Sequence, residues 1–149
     1  MNRIYLDTNI FIYSADKKSP NYQQCLTFFN LASKKEIELS TSTETIQEII
    51  HLSQNTKQVQ KGLAIVTRLL DRIHVLFPVD TDTIGIYIEL IKKHPKIKSR
   101  DCIQAATAMI NKIDTIITYD SDFKKFKEIK VMTPAEYLKN NKLNLTKVL

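Results

Sequence analysis

The chain alternates between short apolar runs and longer segments whose apolar residues recur every three or four positions. Ile4 to Leu6 is an apolar run that ends abruptly in Asp7. Polar Thr8 and Asn9 follow, and a second apolar stretch predicts a short helix over 9–15. Ser19-Pro20 is a helix start signal. Beyond it Tyr22, Cys25, Leu26, Phe29 and Ala32 recur at helical spacing over 21–33. Residues 37–40 alternate apolar and polar and predict a strand. Thr41 and Glu44 have the spacing of a capping box, opening a helix through Ile46, Ile49, Ile50 and Leu52 that breaks near Gln54-Asn55-Thr56. A helix over 58–72 places Val59, Leu63, Val66 and Leu70 on one face. Residues 73–79 are apolar and β-rich, so they predict a strand.

Asp80-Thr81-Asp82 caps the next helix, whose apolar face is Ile84, Tyr87, Ile88 and Ile91 and which ends before Pro95. A basic loop follows, and Ser99 is placed to cap a helix over 100–111. Residues 115–118 predict a strand that runs into Tyr119-Asp120-Ser121-Asp122. A short strand at 130–132 precedes Thr133-Pro134-Ala135-Glu136, a capping box with proline at the first helical position. Strands and helices alternate from end to end. That pattern predicts an α/β fold with three layers, a central parallel sheet covered by helices on both faces. Residues 1–140 read as one domain and 141–149 as a polar tail.

Composition narrows the picture. The chain has 149 residues, 43% hydrophobic and 26% charged, ordinary for a globular domain of this size. No apolar run approaches the roughly 18 residues of a membrane span. No basic, apolar and small-residue leader is visible, so a cytoplasmic location is expected. Cys25 and Cys102 form neither a disulfide framework nor a Cys-x-x-Cys site. Two glycines leave no Gly-rich phosphate loop. The net charge of +6 is compatible with a nucleic-acid partner.

The acids carry the chemistry. In a parallel sheet, residues that follow the strands come out on one edge. Asp7 follows the first strand there, and Asp120 and Asp122 follow the strand at 115–118. Glu44 and Glu48 share a helix face, and Asp101 lies in a first helical turn after the basic loop. Each has a bland alternative. Asp7 is a candidate N-cap, Asp101 suits a helix dipole, Asp120 and Asp122 suit a turn, and Glu44 suits the capping box. Glu48, among Ile46, Ile49 and Ile50, is the hardest to explain as a solvated acid. Crowded carboxylates repel, and a divalent cation with a preference for oxygen, Mg²⁺ or Mn²⁺, removes the conflict. Such ions promote in-line displacement at phosphorus.

Asp7-Thr8-Asn9 after the opening strand, Glu48 in a Ser/Thr-led helix, Asp101 in Ser-Arg-Asp-Cys-Ile-Gln-Ala-Ala-Thr-Ala and Asp120 in Ile-Ile-Thr-Tyr-Asp-Ser-Asp-Phe together resemble the PIN-domain nucleases. The likeness is greatest to VapC-type toxins of bacterial and archaeal toxin–antitoxin pairs and covers Ile4 to about Leu138. It implies a metal-dependent endoribonuclease for single-stranded or loop RNA, with Asp7, Glu48, Asp101 and Asp120 as the acidic centre. By the same resemblance Asp7, Asp101, Asp120 and Asp122 are the metal ligands, and Asn9 and Thr118 orient ligands or water. A homodimer and a cognate antitoxin protein are implied only by the family. The basic flanks, with Lys96, Lys98, Arg100 and Lys124, suit a phosphate backbone.

Two other classes compete. One is a catalytically silent PIN-fold module that binds RNA or protein. The other is a phospho-acceptor receiver or a haloacid-dehalogenase-type phosphatase. The phosphatase needs Asp-x-Asp where this chain has Asp7-Thr8-Asn9. The receiver needs an early acid pair and a late lysine that cannot be placed.

Overall fold

The computed structural model describes residues 2–140. The polar tail expected at 141–149 lies outside the described residues. Five strands, β1 (Arg3–Leu6), β2 (Glu38–Ser42), β3 (Val75–Phe77), β4 (Thr115–Ile117) and β5 (Lys130–Met132), pair in the order β3-β2-β1-β4-β5. Every pairing is parallel. The helices among the described residues are α1 (Thr8–Tyr13), α2 (Tyr22–Lys34), α3 (Thr43–Asn55), α4 (Val59–Arg72), α5 (Thr81–Lys93), α6 (Ser99–Ile110) and α7 (Pro134–Asn140). A 3-10 turn spans Ser121–Lys125.

Side chains alternate across the strands, so the sheet separates two cores. Ile4 and Leu6 of β1, with Ile117 of β4, join α1, α2, α3, α4 and α7 in one cluster built on Ile10, Phe28, Ile49, Leu69 and Leu138. Tyr5 and Ile116 face the other way, with Leu90 of α5 and Cys102, Ala105 and Ala106 of α6. The result is the expected three-layer α/β/α arrangement. β1 is central and the chain winds to either side of it. The β1–β4 boundary is therefore the switch point where an open α/β sheet parts its loops to make a crevice.

Several local expectations are corrected. The predicted capping box at Thr41 and Glu44 does not form, because β2 continues to Ser42. Ser40 and Thr41 donate their hydroxyls to Ile4 O (2.8 Å) and Leu6 O (2.9 Å) of β1, which holds them in the strand. Ser42 becomes the N-cap without a side-chain capping bond. Ser99 is not the cap of α6 but its first residue, and its hydroxyl lies 2.8 Å from the Tyr87 hydroxyl on α5. The strand expected over 73–79 shrinks to Val75–Phe77, since Ile73 still closes α4. The capping box of α7 forms as predicted, with Glu136 N–H on Thr133 Oγ1 and Thr133 N–H on Glu136 Oε2.

The largest departure is the rotation of α4. Of its predicted stripe Val59, Leu63 and Leu70 stay exposed and Val66 alone packs on the core, while Gly62 and Leu69 are buried. Gly62 permits the close approach of α3 to α4. A Cβ there would lie 2.5 Å from Ser53 Cβ and closer still to its Oγ. Gly62→Ala is expected to lower stability by ~1–3 kcal/mol through overpacking, more than the gain of about 1 kcal/mol in helix propensity. A urea unfolding curve checks this; an unchanged or raised midpoint would contradict it.

Candidate active site

Asp7 directly follows β1, and its N–H still pairs with Ile117 O of β4 (3.0 Å). It caps α1, with Thr8 N–H donating to Oδ1 at 2.8 Å. So the bland N-cap reading holds, but it uses only one oxygen. Oδ2 accepts from the Thr118 hydroxyl (2.7 Å) and the Asn9 carboxamide (3.1 Å). Asn9 is fixed in turn, because its Oδ1 accepts Tyr119 N–H (3.3 Å) and its Nδ2 also reaches Thr118 Oγ1 (3.1 Å). Thr118 Oγ1 also accepts Asp120 N–H (3.0 Å). The ends of β1 and β4 are thereby stitched together by side chains at the switch point.

One pocket, about 470 Å³, opens on this edge. Asp7, Glu48, Asp101 and Asp120 line it, with Thr8, Asn9, Tyr13, Lys98 and Arg100. Four acids distant in sequence converge there. Glu48 points in from α3 and accepts the Thr8 hydroxyl at 2.6 Å. Glu44 is absent from the lining, and burial pushes its carboxyl up against the pull of Arg100. Asp101 enters from the first turn of α6. Its Oδ2 is buried and is the one buried side-chain oxygen or nitrogen without a hydrogen-bond partner among the described residues.

The electrostatics match the crowding. Burial pushes the Asp7 carboxyl up to about 7, with Glu48 and Asp101 adding repulsion and the Thr118 and Thr8 hydrogen bonds opposing it. Burial raises Asp101 to about 6, with Asp120, Glu48 and Asp122 adding repulsion and Lys98 drawing it back.

A model for the PIN domain family matches residues 4–129. The chain belongs to the PIN domain family. A ribonuclease of Mycobacterium tuberculosis, VapC23, is 24% identical over 121 residues, covering 78% of this chain and 92% of that protein. Among solved structures, VapBC2 from Rickettsia felis bound to a promoter DNA fragment superposes with a TM-score of 0.70 at 19% identity, over 87% of this chain and 96% of that one. VapC20 of M. tuberculosis, a sarcin-ricin loop cleaving toxin, gives 0.70 at 16% identity, over 86% and 98%. FitAcB from Neisseria gonorrhoeae gives 0.65 at 22%, over 89% and 98%. These structures share the PIN fold.

The other sequence-predicted residues fall around this PIN pocket or outside it. Asp122 is outside the lining; its N–H donates to Asp120 Oδ1 (2.9 Å) and its carboxylate pairs with Lys125 (3.2 Å). Lys98 and Arg100 stand on the wall, whereas Lys96 is exposed outside it and Lys124 pairs with Glu136 (3.2 Å). Sequence reasoning missed the floor under Glu48. Thr8, Thr45, Gln104, Ser42 and Tyr5 form a buried polar cluster there. A glutamine at 104, between Ile103 and Ala105-Ala106, was the available signal. Among the described residues no three carboxylate, imidazole or thiolate groups stand together as a ready metal cage. The donors are nonetheless hard oxygens with one buried oxygen unpartnered, which fits an ion that keeps several waters and is completed by a substrate phosphate.

Proposed function

We propose that this chain is a metal-dependent endoribonuclease that hydrolyses phosphodiester bonds of single-stranded or loop RNA, the toxin of a toxin–antitoxin pair acting in the cytoplasm. One observation carries the reading: Asp7, Glu48, Asp101 and Asp120 share one pocket beside Lys98 and Arg100. The name of the M. tuberculosis relative and its near-complete coverage support it.

Asp7, Asp101 and Asp120 would hold Mg²⁺ or Mn²⁺, with Asp122 at the rim. The ion would neutralise charge on the scissile phosphate and lower the pKa of a water. Thr118 and Asn9 hold Asp7 in one orientation. Glu48, oriented by Thr8, is the carboxylate available to align the attacking water and take its proton. Lys98 and Arg100 would grip the flanking phosphates, so affinity should fall with salt. No helix among the described residues is long and apolar enough to cross a membrane.

The partners follow the same logic. An apolar groove lined by Ile49 and Ile65 shares Ile12 and Leu52 with the acidic pocket. An antitoxin segment seated there would stand beside the acids. The exposed Ile84 and Ile88 of α5 offer apolar surface for a homodimer.

The lack of a ready-made cage among the described residues favours one competitor, a silent PIN-fold binding module. Incubating single-stranded and duplex RNA with the chain in Mg²⁺, Mn²⁺ or EDTA separates the two. Metal-dependent cuts in unpaired segments are expected. RNA retention without cutting under any metal would select the binding module.

A further inference from the structure

The polar floor of the pocket ties the acid-bearing elements together. Gln104 lies one turn after Asp101 on α6 and is 1% exposed. Its Nε2 donates to Thr45 Oγ1 of α3 (3.0 Å) and to Thr8 Oγ1 of α1 (3.3 Å). Its Oε1 accepts the Tyr5 hydroxyl of β1 and lies 3.3 Å from the hydroxyls of Ser42 and Thr45. Tyr5 and Ser42 are themselves 2.8 Å apart. Both amide hydrogens and the amide oxygen are therefore used, in a layer where an unpaired polar group is costly.

The directions matter. A carboxylate only accepts, so the single Thr8 hydroxyl hydrogen is committed to Glu48 Oε2 at 2.6 Å. With its hydrogen on Glu48, Thr8 Oγ1 can only accept from its other partner, and Gln104 Nε2 is that donor. The Thr8–Glu48 bond thereby sets the amino end of the Gln104 amide toward Thr8 and leaves its oxygen toward Tyr5. One side chain thus sets α6, which carries Asp101, against α1 beside Asp7 and α3 beside Glu48.

We infer that Gln104 is a positioning residue of the acidic pocket: its carboxamide aims Thr8 at Glu48 and fixes the spacing of Asp7, Glu48 and Asp101. The inference rests on the ribonuclease reading above. Second-layer partners of this kind are worth about 10–100-fold in metal affinity or activity.

The test is Mn²⁺ binding by calorimetry at pH 7.5, beside RNA cleavage and thermal melting of the metal-free chain. Gln104→Met keeps length and apolar volume but removes the amide. It should weaken Mn²⁺ affinity about 10–100-fold through the spacing of Asp7 and Asp101 and lower cleavage, with only part of the loss recovered as Mn²⁺ is raised because Glu48 stays misaligned. Thr8→Val removes the hydroxyl on Glu48 and leaves the metal-holding acids their contacts, so it should lower cleavage at saturating Mn²⁺ about 10–100-fold. Thr8→Ser should recover most of it, and Gln104→Met with Thr8→Val should cleave little worse than Gln104→Met alone. If Gln104→Met does not fold, the Thr8→Val and Thr8→Ser pair decides. Wild-type Mn²⁺ affinity in Gln104→Met, or wild-type cleavage at saturating Mn²⁺ in Thr8→Val, whatever happens to melting, would overturn the inference and leave the ribonuclease standing. A wild type that neither binds Mn²⁺ nor cuts RNA removes the ribonuclease reading and this inference with it.

Discussion

Asp7→Asn is expected to reduce RNA cleavage by about 10³-fold or more while the chain stays folded. Asp7 is the carboxylate that the fold prepares most completely, with one oxygen on Thr8 N–H and the other on Thr118 and Asn9. Asparagine has the same shape and keeps one acceptor oxygen, so α1 retains its start. What it loses is the negative charge toward a cation and the correct partner for Asn9, whose Nδ2 would then meet another donor. An ion at a reacting phosphate contributes several kcal/mol, and ~4 kcal/mol corresponds to about 10³-fold in rate. Cleavage rates with circular dichroism of both proteins check this. Near-wild-type cleavage would remove Asp7 from the chemistry.

The metal-free chain is expected to melt at higher temperature at pH 5 than at pH 7.5, with added Mn²⁺ raising the melting point mainly at pH 7.5. Asp7 and Asp101 have folded-state values of about 7 and about 6, both above the ordinary 3.8. Between roughly pH 4 and pH 7 the folded chain holds protons that the unfolded chain has released. Stability therefore falls as pH rises through that window. For Asp7 alone the full effect is ~4 kcal/mol. The carboxyls of Asp80, Glu38 and Glu136 are lowered, Asp80 by the Thr83 N–H, Glu38 by Arg3 and Glu136 by the Thr133 N–H. Their contributions have the opposite sign and are lost only as pH falls below about 4, outside this window. Protons compete with Mn²⁺ for the same oxygens, so the metal's effect shrinks at pH 5. Calorimetric scans of EDTA-treated protein at both pH values measure it. A melting point that rises from pH 5 to pH 7.5 without metal would contradict proton uptake by Asp7 and Asp101 as the cause.

The sequence made the site more legible than its supports. Asp7 announces itself because a carboxylate that ends an apolar strand has few other places to be. Asp101 after a basic loop and Asp120 after a strand point to the same edge once the sheet is parallel. Glu44 and Glu48 share a helix face and leave the acid ambiguous; the family resemblance, whose acid precedes an apolar pair, favours Glu48, and Glu48 lines the pocket. Capping was read less well. Thr41 and Ser99 have the right side chains, but tertiary partners claim them, the Leu6 carbonyl for one and Tyr87 for the other. Apolar spacing also misplaced the packing face of α4, because Gly62 lets α3 approach where a larger stripe would not. Gln104 was marked only as a polar residue ahead of two alanines, and its role depends on four elements distant in sequence.

The most direct test of the central claim is a time course of single-stranded RNA cleavage by wild type and Asp7→Asn, each in Mn²⁺ and after chelation with EDTA. The acidic pocket predicts cutting only by wild type with Mn²⁺, restored when metal is returned after EDTA. Equal cutting in all four tubes would contradict it, and so would the absence of cutting by metal-loaded wild type on every RNA offered.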